Sequence, residues 1–209
     1  FDEHGDEHGD HDEHKDDHDK HEGEHDDHDD HAGHDHGAFD PHAWQSLTHA
    51  VTYVDNITAG LAKADPENAA DYYANRATYV AEIEALNVDV TAMMAGLPEE
   101  KRTVVTSHDA FGYFAHAYGL TFEAPQGLST ESEVSAADVA ELIEQIREEG
   151  ISAVFIEAIA DNRLLKQIAN ETDATIGGTL YSDGLSNAEG PASTYLDMMR
   201  HNAETLSKA

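Results

Sequence analysis

The chain has 209 residues and no cysteine, and its 44 acidic against 11 basic side chains leave a net charge of −33 at neutral pH. A surface this negative repels phosphate backbones and anionic headgroups, which argues against nucleic-acid binding and membrane docking and makes cations the natural partners. Lack of cysteine removes disulfides, thiolate metal sites and thiol nucleophiles. The longest apolar stretches, Ile151 to Ala160 and Ala110 to Phe122, are interrupted by Glu157 or His116 and are too short to span a bilayer.

Residues 1–36 hold 11 of the 16 histidines, 17 of the 44 acids and only two bases, Lys15 and Lys20, so residues 37–209 keep a net charge of −18. With almost no apolar side chain beyond Phe1 and Ala32, this tract has nothing to offset the entropy of ordering and is expected to be disordered. Its histidines, His4, His8, His11, His14, His18, His21, His25, His28, His31, His34 and His36, recur every two to four residues among carboxylates. That composition reads as a low-affinity metal-binding loop: neutral imidazole suits Zn, Cu and Ni, and the carboxylates keep the local cation concentration high. A solvating acidic linker is the plainer reading, but a linker has no use for so many imidazoles. The chain begins with Phe1 inside this run, and it is read as a fragment or processed product whose start, and any signal peptide, lie upstream.

From Phe39 the character changes. Asp40-Pro41-His42 reads as an N-cap followed by proline at the first helical position, and Trp44, Leu47, Val51, Val54 and Leu61 continue at helical spacing, predicting a helix over 41–62. Asp65-Pro66-Glu67 repeats the start signal, and Tyr72, Tyr79, Ile83, Leu86, Val90 and Met94 carry a second pattern to the stop at Gly96-Leu97-Pro98. About 30 residues at about 1.5 Å each make a rod of roughly 45 Å, long enough to be a strut between two bodies.

After Pro98 short β-branched or apolar runs at 103–106, 121–124, 153–156 and 175–180 alternate with helical stretches near 109–118, 135–149, 161–172 and 192–208. Strands alternating with helices predict parallel βαβ units and one doubly wound α/β lobe. Ser135 with Asp138 resembles a capping box, and Gly150 is a helix stop.

Ligands of such lobes bind beyond the carboxyl ends of the strands. That rule selects His108 past the first strand, Glu157 at the end of the third and Asp183 past the fourth, with His42 entering the same cleft from the start of its helix. Two imidazoles and a carboxylate from separate elements can form a zinc site. Each also has a plainer role: His108 as a hydrogen-bonded loop residue, Asp183-Gly184 as a turn, Glu157 as the ion-pair partner of Arg163 or a helix cap. Asp109 is expected to cap the helix after His108. His49, His116 and His201 read as surface residues, and Trp44, Phe111, Tyr113 and Phe114 as packing.

The His/Asp-rich tract, then Asp40-Pro41-His42-Ala43-Trp44, then Ser107-His108-Asp109-Ala110-Phe111-Gly112-Tyr113-Phe114, then Gly177-Gly178-Thr179-Leu180-Tyr181-Ser182-Asp183, together resemble the periplasmic zinc-binding proteins of bacterial ABC importers, the AztC and ZnuA kind. The resemblance implies a fold of two α/β lobes joined by one long rigid helix, of which this chain holds essentially the C-terminal doubly wound lobe and the linking helix. It divides the chain into the metal-binding loop at 1–38, the last helix of a mostly missing N-terminal lobe at 39–64, the linking helix at 65–97 and the C-terminal lobe at 98–209. It also implies that His42, His108 and Asp183 are metal ligands, that a fourth, a histidine of the first lobe, lies outside this sequence, and that the imidazole of His108, where manganese-binding relatives tend to have Glu, favours zinc.

The function implied is a monomeric periplasmic receptor that captures Zn2+ and hands it to the membrane permease of an ABC importer, with a zinc metallochaperone as a possible donor to the tract. The alternative is a periplasmic zinc buffer or metallochaperone acting mainly through the His-rich segment. An enzyme is not expected, because H-E-x-x-H, G-x-S-x-G and P-loop motifs are all missing.

Overall fold

The structure is a computed structural model that describes residues 39–127 and 134–209, so the eleven histidines of the tract lie outside the described residues. The first expected helix divides in two. Ala43–Gln45 form a single 3-10 turn, and helix α1 runs from Leu47–Ala64 with Ser46 as its N-cap, the Ser46 hydroxyl accepting from the His49 amide. Asp40 does not cap this helix; its carboxylate turns to His42 instead, accepting from both the backbone N–H and the ring. Tertiary contacts have claimed residues 42–45, and Ser46 in an extended conformation restarts the helix behind them.

Pro66–Asn68 form a 3-10 turn, and α2 follows over Ala69–Ala95. Its 27 residues make a rod of about 40 Å. Val80, Ile83, Leu86, Val90 and Met94 form its buried stripe, confined to the C-terminal part of the helix. Arg102 holds the far end, its guanidinium donating to the carbonyls of Ala95, Leu97 and Gly119.

Beyond α2 come β1 (Thr103–Val105), α3 (Gly112–Tyr118), β2 (Thr121–Glu123), α4 (Ala136–Glu149), β3 (Ala153–Glu157), α5 (Arg163–Glu171), β4 (Thr175–Leu180) and α6 (Tyr195–Lys208). The four strands make one wholly parallel sheet in the order β2-β1-β3-β4, as the alternation of strand and helix predicts. Neighbouring residues of a strand point to opposite faces. Val104 and Phe155 therefore join the core shared with α2, α3 and α6, while Val105 and Val154 join the core under α4 and α5. Among the described residues no helix is long and apolar enough to cross a membrane.

Ser135 caps α4 as expected, its hydroxyl accepting from the Asp138 amide, and Gly150 ends the helix in the left-handed conformation. Asp109 does not start α3. Its amide donates to the carbonyls of Gln126 and Gly127, the Thr106 amide to that of Glu123, and His108 bridges Gln126, so residues 106–109 are tied to the segment after β2 and the helix waits until Gly112.

Strand β4 is an edge, and α6 closes it. The Asn202 amide group accepts from Tyr181 N–H and donates to Tyr181 C=O, while the His201 ring meets the Thr179 carbonyl, which makes His201 a half-buried edge residue rather than the surface residue expected. The close approach depends on glycine: Gly178 has φ +152°, and a Cβ there would lie 2.6 Å from the Thr205 methyl. Gly178→Ala is therefore expected to combine backbone strain of about 1–3 kcal/mol with overpacking of about 1–3 kcal/mol. Gly150→Ala meets open space and should cost only the strain; urea unfolding midpoints of the two variants provide the comparison.

Candidate metal centre

Among the described residues one group of three metal-ligating side chains comes together: His42, His108 and Asp183. His42 precedes the 3-10 turn, His108 lies three residues past β1, and Asp183 three residues past β4. All three sit at the carboxyl ends of the strands, where a parallel sheet leaves its crevice.

The carboxylate of Asp183 lies between the two rings. Oδ1 is 3.3 Å from Nε2 of His42, and Oδ2 is 3.1 Å from Nε2 of His108. The rings are 5.5 Å apart at 70°, and Trp44 packs edge-on against His42. Both imidazoles are buried while the Asp183 side chain is 26% exposed, so the cluster opens to solvent on the carboxylate side. The 3.1 and 3.3 Å contacts reach different carboxylate oxygens, and each is close to an edge of a tetrahedron whose bonds are about 2.0 Å, the bond length zinc takes with nitrogen and oxygen; the three donors lie within 4.8 Å of one another. Imidazole and carboxylate donors suit a borderline-soft divalent cation.

Each ring is backed by a carboxylate at its other nitrogen. Oδ1 of Asp40 lies 2.8 Å from Nδ1 of His42, and Oε2 of Glu157 lies 2.7 Å from Nδ1 of His108, in a bent contact. Such outer carboxylates set the tautomer and orientation of metal-ligating histidines. Glu157 departs from its expected role, because Arg163 pairs with Asp161 and Glu157 is fully buried behind His108. The third donor is positioned from behind as well: Trp44 Nε1 and Gln45 Nε2 both donate to the Ser182 carbonyl, at 3.0 and 2.9 Å. Trp44 thus does more than pack.

The charges reinforce one another. Burial opposes a protonated His108, but Asp183 and Glu157 on either side outweigh it and raise its pKa to about 9. Burial would likewise raise the Asp183 carboxyl, yet the hydrogen bond and charge of His108, then the charge of His42, hold it below the usual carboxylate range.

Of the four cleft residues that the sequence nominated, the structure brings His42, His108 and Asp183 together as donors and sets Glu157 behind His108. His49 and His116 are exposed, as expected of surface histidines. Sequence reasoning missed Asp40, Gln45, Asn162 and Asn202 as supports; only Asp40, two residues before a candidate ligand, carried a signal that could have been read.

A family profile described as "Zinc-uptake complex component A periplasmic" (ZnuA) matches residues 2–209. The manganese-binding lipoprotein MntA of Bacillus subtilis is 36% identical over 176 residues, covering 82% of this chain and 58% of that protein. The iron-binding protein YfeA of Yersinia pestis is 35% identical over 172 residues, covering 82% and 55%. The solved periplasmic zinc-binding protein TroA of Treponema pallidum superposes with a TM-score of 0.78 at 33% identity, covering 81% of this chain and 63% of that one. The chain thus spans a little over half the length of the curated relatives it matches.

The raised pKa gives a prediction for the metal-free protein. His108 should titrate near pH 9 by NMR, and Asp183→Asn should bring it down towards 6.5. Because the folded value lies above the unfolded one, the stabilisation is complete below about pH 6.5 and is lost as pH rises through about 9. Unfolding midpoints should therefore fall over that window, and less so in Asp183→Asn.

Proposed function

The chain belongs to the ZnuA family of periplasmic metal-uptake components, and from that premise we propose that it is an extracytoplasmic receptor that captures Zn2+ and delivers it to the permease of an ABC importer. The observation that carries this reading is the His42–Asp183–His108 cluster, in which both Nε2 atoms face one carboxylate and both Nδ1 atoms are held by another. No bond is made or broken in this role; the three donors hold the cation as cargo.

The relatives' names include manganese, iron and zinc, so the metal is argued from the donors. Two imidazoles and one carboxylate suit zinc better than manganese, which favours carboxylate, carbonyl and water. Tetrahedral zinc takes four donors, of which this cluster supplies three. The imidazole of His108 is the residue on which the preference rests.

The His/Asp-rich tract supplies the first encounter. Eleven imidazoles among seventeen carboxylates offer many weak, exchangeable sites in the sequence ahead of His42, and these are lost as pH falls through about 6.5, where free imidazole protonates. The same composition supports a second reading, in which the protein is a zinc buffer and the tract its principal binding element.

Competitive zinc titration separates the two. A receptor keeps one tight site when residues 1–36 are removed, and that site weakens in His108→Ala by more than the about 10–100-fold that loss of an outer-shell partner costs. A buffer loses its tight binding with the tract and is indifferent to His108. Manganese titrated in parallel should bind less tightly than zinc, and the reverse order would refute the zinc assignment.

A further inference from the structure

Glu157 is buried completely at the end of β3 with its carboxylate against the loop that carries His108. Two backbone donors and one ring nitrogen converge on that one side chain. Oε1 accepts from the backbone N–H of Ser107 at 2.8 Å and of His108 at 2.9 Å, and Oε2 lies 2.7 Å from Nδ1 of His108. The Nδ1–Oε2 contact is too bent to count as a hydrogen bond, and neither atom has any other partner.

The carboxylate has no freedom to turn away. Asn162 brackets the backbone of Glu157, its Oδ1 accepting from Glu157 N–H and its Nδ2 donating to Glu157 C=O, while the same Oδ1 accepts from the Ser107 hydroxyl. On the other side Glu157 is in register with Leu180, whose carbonyl accepts from Ala158 N–H. The strand, the amide bracket and the two loop N–H groups fix where Oε2 points.

We infer that Glu157 is a positioning residue that holds the His108 ring with its proton on Nδ1, so that the Nε2 lone pair is the one presented to the metal. This rests on the reading of His108 as a ligand. A neutral imidazole carries its proton on one nitrogen, and which one is decided by the hydrogen bond the other makes. A carboxylate is acceptor-only and can receive all three donors at once. It also adds a negative charge behind the ligand, which raises the basicity of the ring towards the cation.

A carboxamide of the same shape cannot do this. With its single oxygen on the two backbone N–H groups, Gln would turn its NH2 towards Nδ1, which would then have to be the bare nitrogen, with the proton moved to Nε2 and the metal position blocked. Flipped, the NH2 would face two buried backbone donors and leave them unsatisfied, the costlier arrangement. The wrong tautomer is a known route to loss of function with intact geometry. Glu157→Ala, by contrast, leaves the ring free to take either tautomer while removing packing and both backbone acceptors.

The inference therefore orders the two variants oppositely in affinity and stability. Zinc affinity by chelator competition is expected to fall about 10–100-fold in Glu157→Gln, at least as far as in Glu157→Ala, while the urea midpoint of the metal-free Gln variant stays closer to wild type than that of the Ala variant. A role in packing alone predicts the reverse order in affinity, with Gln nearly silent. Glu157→Gln binding zinc within about twofold of wild type would overturn the proposal.

Long-range 1H–15N NMR of the zinc-loaded wild-type chain gives a readout that holds even if the Gln variant does not fold. A slowly exchanging proton on Nδ1 of His108 is expected, and metal on Nδ1 or a proton on Nε2 would refute the assignment. His108→Ala in the same titration separates the two levels. If it keeps the tight site, the ligand reading and this inference fall together. If it loses the site while Glu157→Gln keeps it, only the role of Glu157 falls.

Discussion

One carboxylate, Asp183, holds two buried imidazoles in place, and much of the lobe is arranged to bring the three together. His42 and Asp183 lie 141 positions apart, and His108 comes from a third segment, so no local structure could assemble them. A parallel sheet does so because its strands all end on the same side, and the loops leaving β1 and β4 meet above β3. The cost of burying two rings that can carry charge is met by placing a carboxylate at every ring nitrogen.

The supports repeat a single device. At the ends of β3 and β4 an asparagine side chain takes both the N–H and the C=O of one residue: Asn162 brackets Glu157, the last of β3, and Asn202 brackets Tyr181, the first past β4. A carboxamide is the side chain that can donate and accept at adjacent atoms and so can imitate a neighbouring strand. The first bracket fixes the carboxylate behind His108, and the second fixes the segment that leads to Asp183. The Ser182 carbonyl, taken by both Trp44 and Gln45, ties that segment to the turn bearing His42. Tyr195 closes the loop from α6, donating its hydroxyl to the Trp44 carbonyl at 2.7 Å.

Electrostatics connects the site to the rest of the chain. A net charge of −33 draws cations towards the surface at long range. Inside the cluster, donor chemistry and fixed geometry replace diffuse attraction. In the metal-free cluster the His108 proton occupies the same pocket of negative potential that suits a metal ion.

Much of this was legible in the sequence because the relevant signals are short. Short β-branched or apolar runs placed the four strands and the 3.6 period the long helix, Ser135 and Gly150 marked the ends of α4, and the strand-end rule picked out His108, Glu157 and Asp183, with His42 entering from the start of its helix. What misled was local grammar overruled by distant partners. Asp40-Pro41 reads as a helix start, yet Asp40 serves His42 and the helix begins at Leu47; Asp109 reads as a cap, yet its amide belongs to the loop after β2. Glu157 has Arg163 six residues away and is instead committed to a loop about fifty residues upstream. Patterning and capping are settled within one or two turns of chain and can be read there. Which carboxylate faces which imidazole is settled by the register of a parallel sheet, and that exists only once the strands have paired.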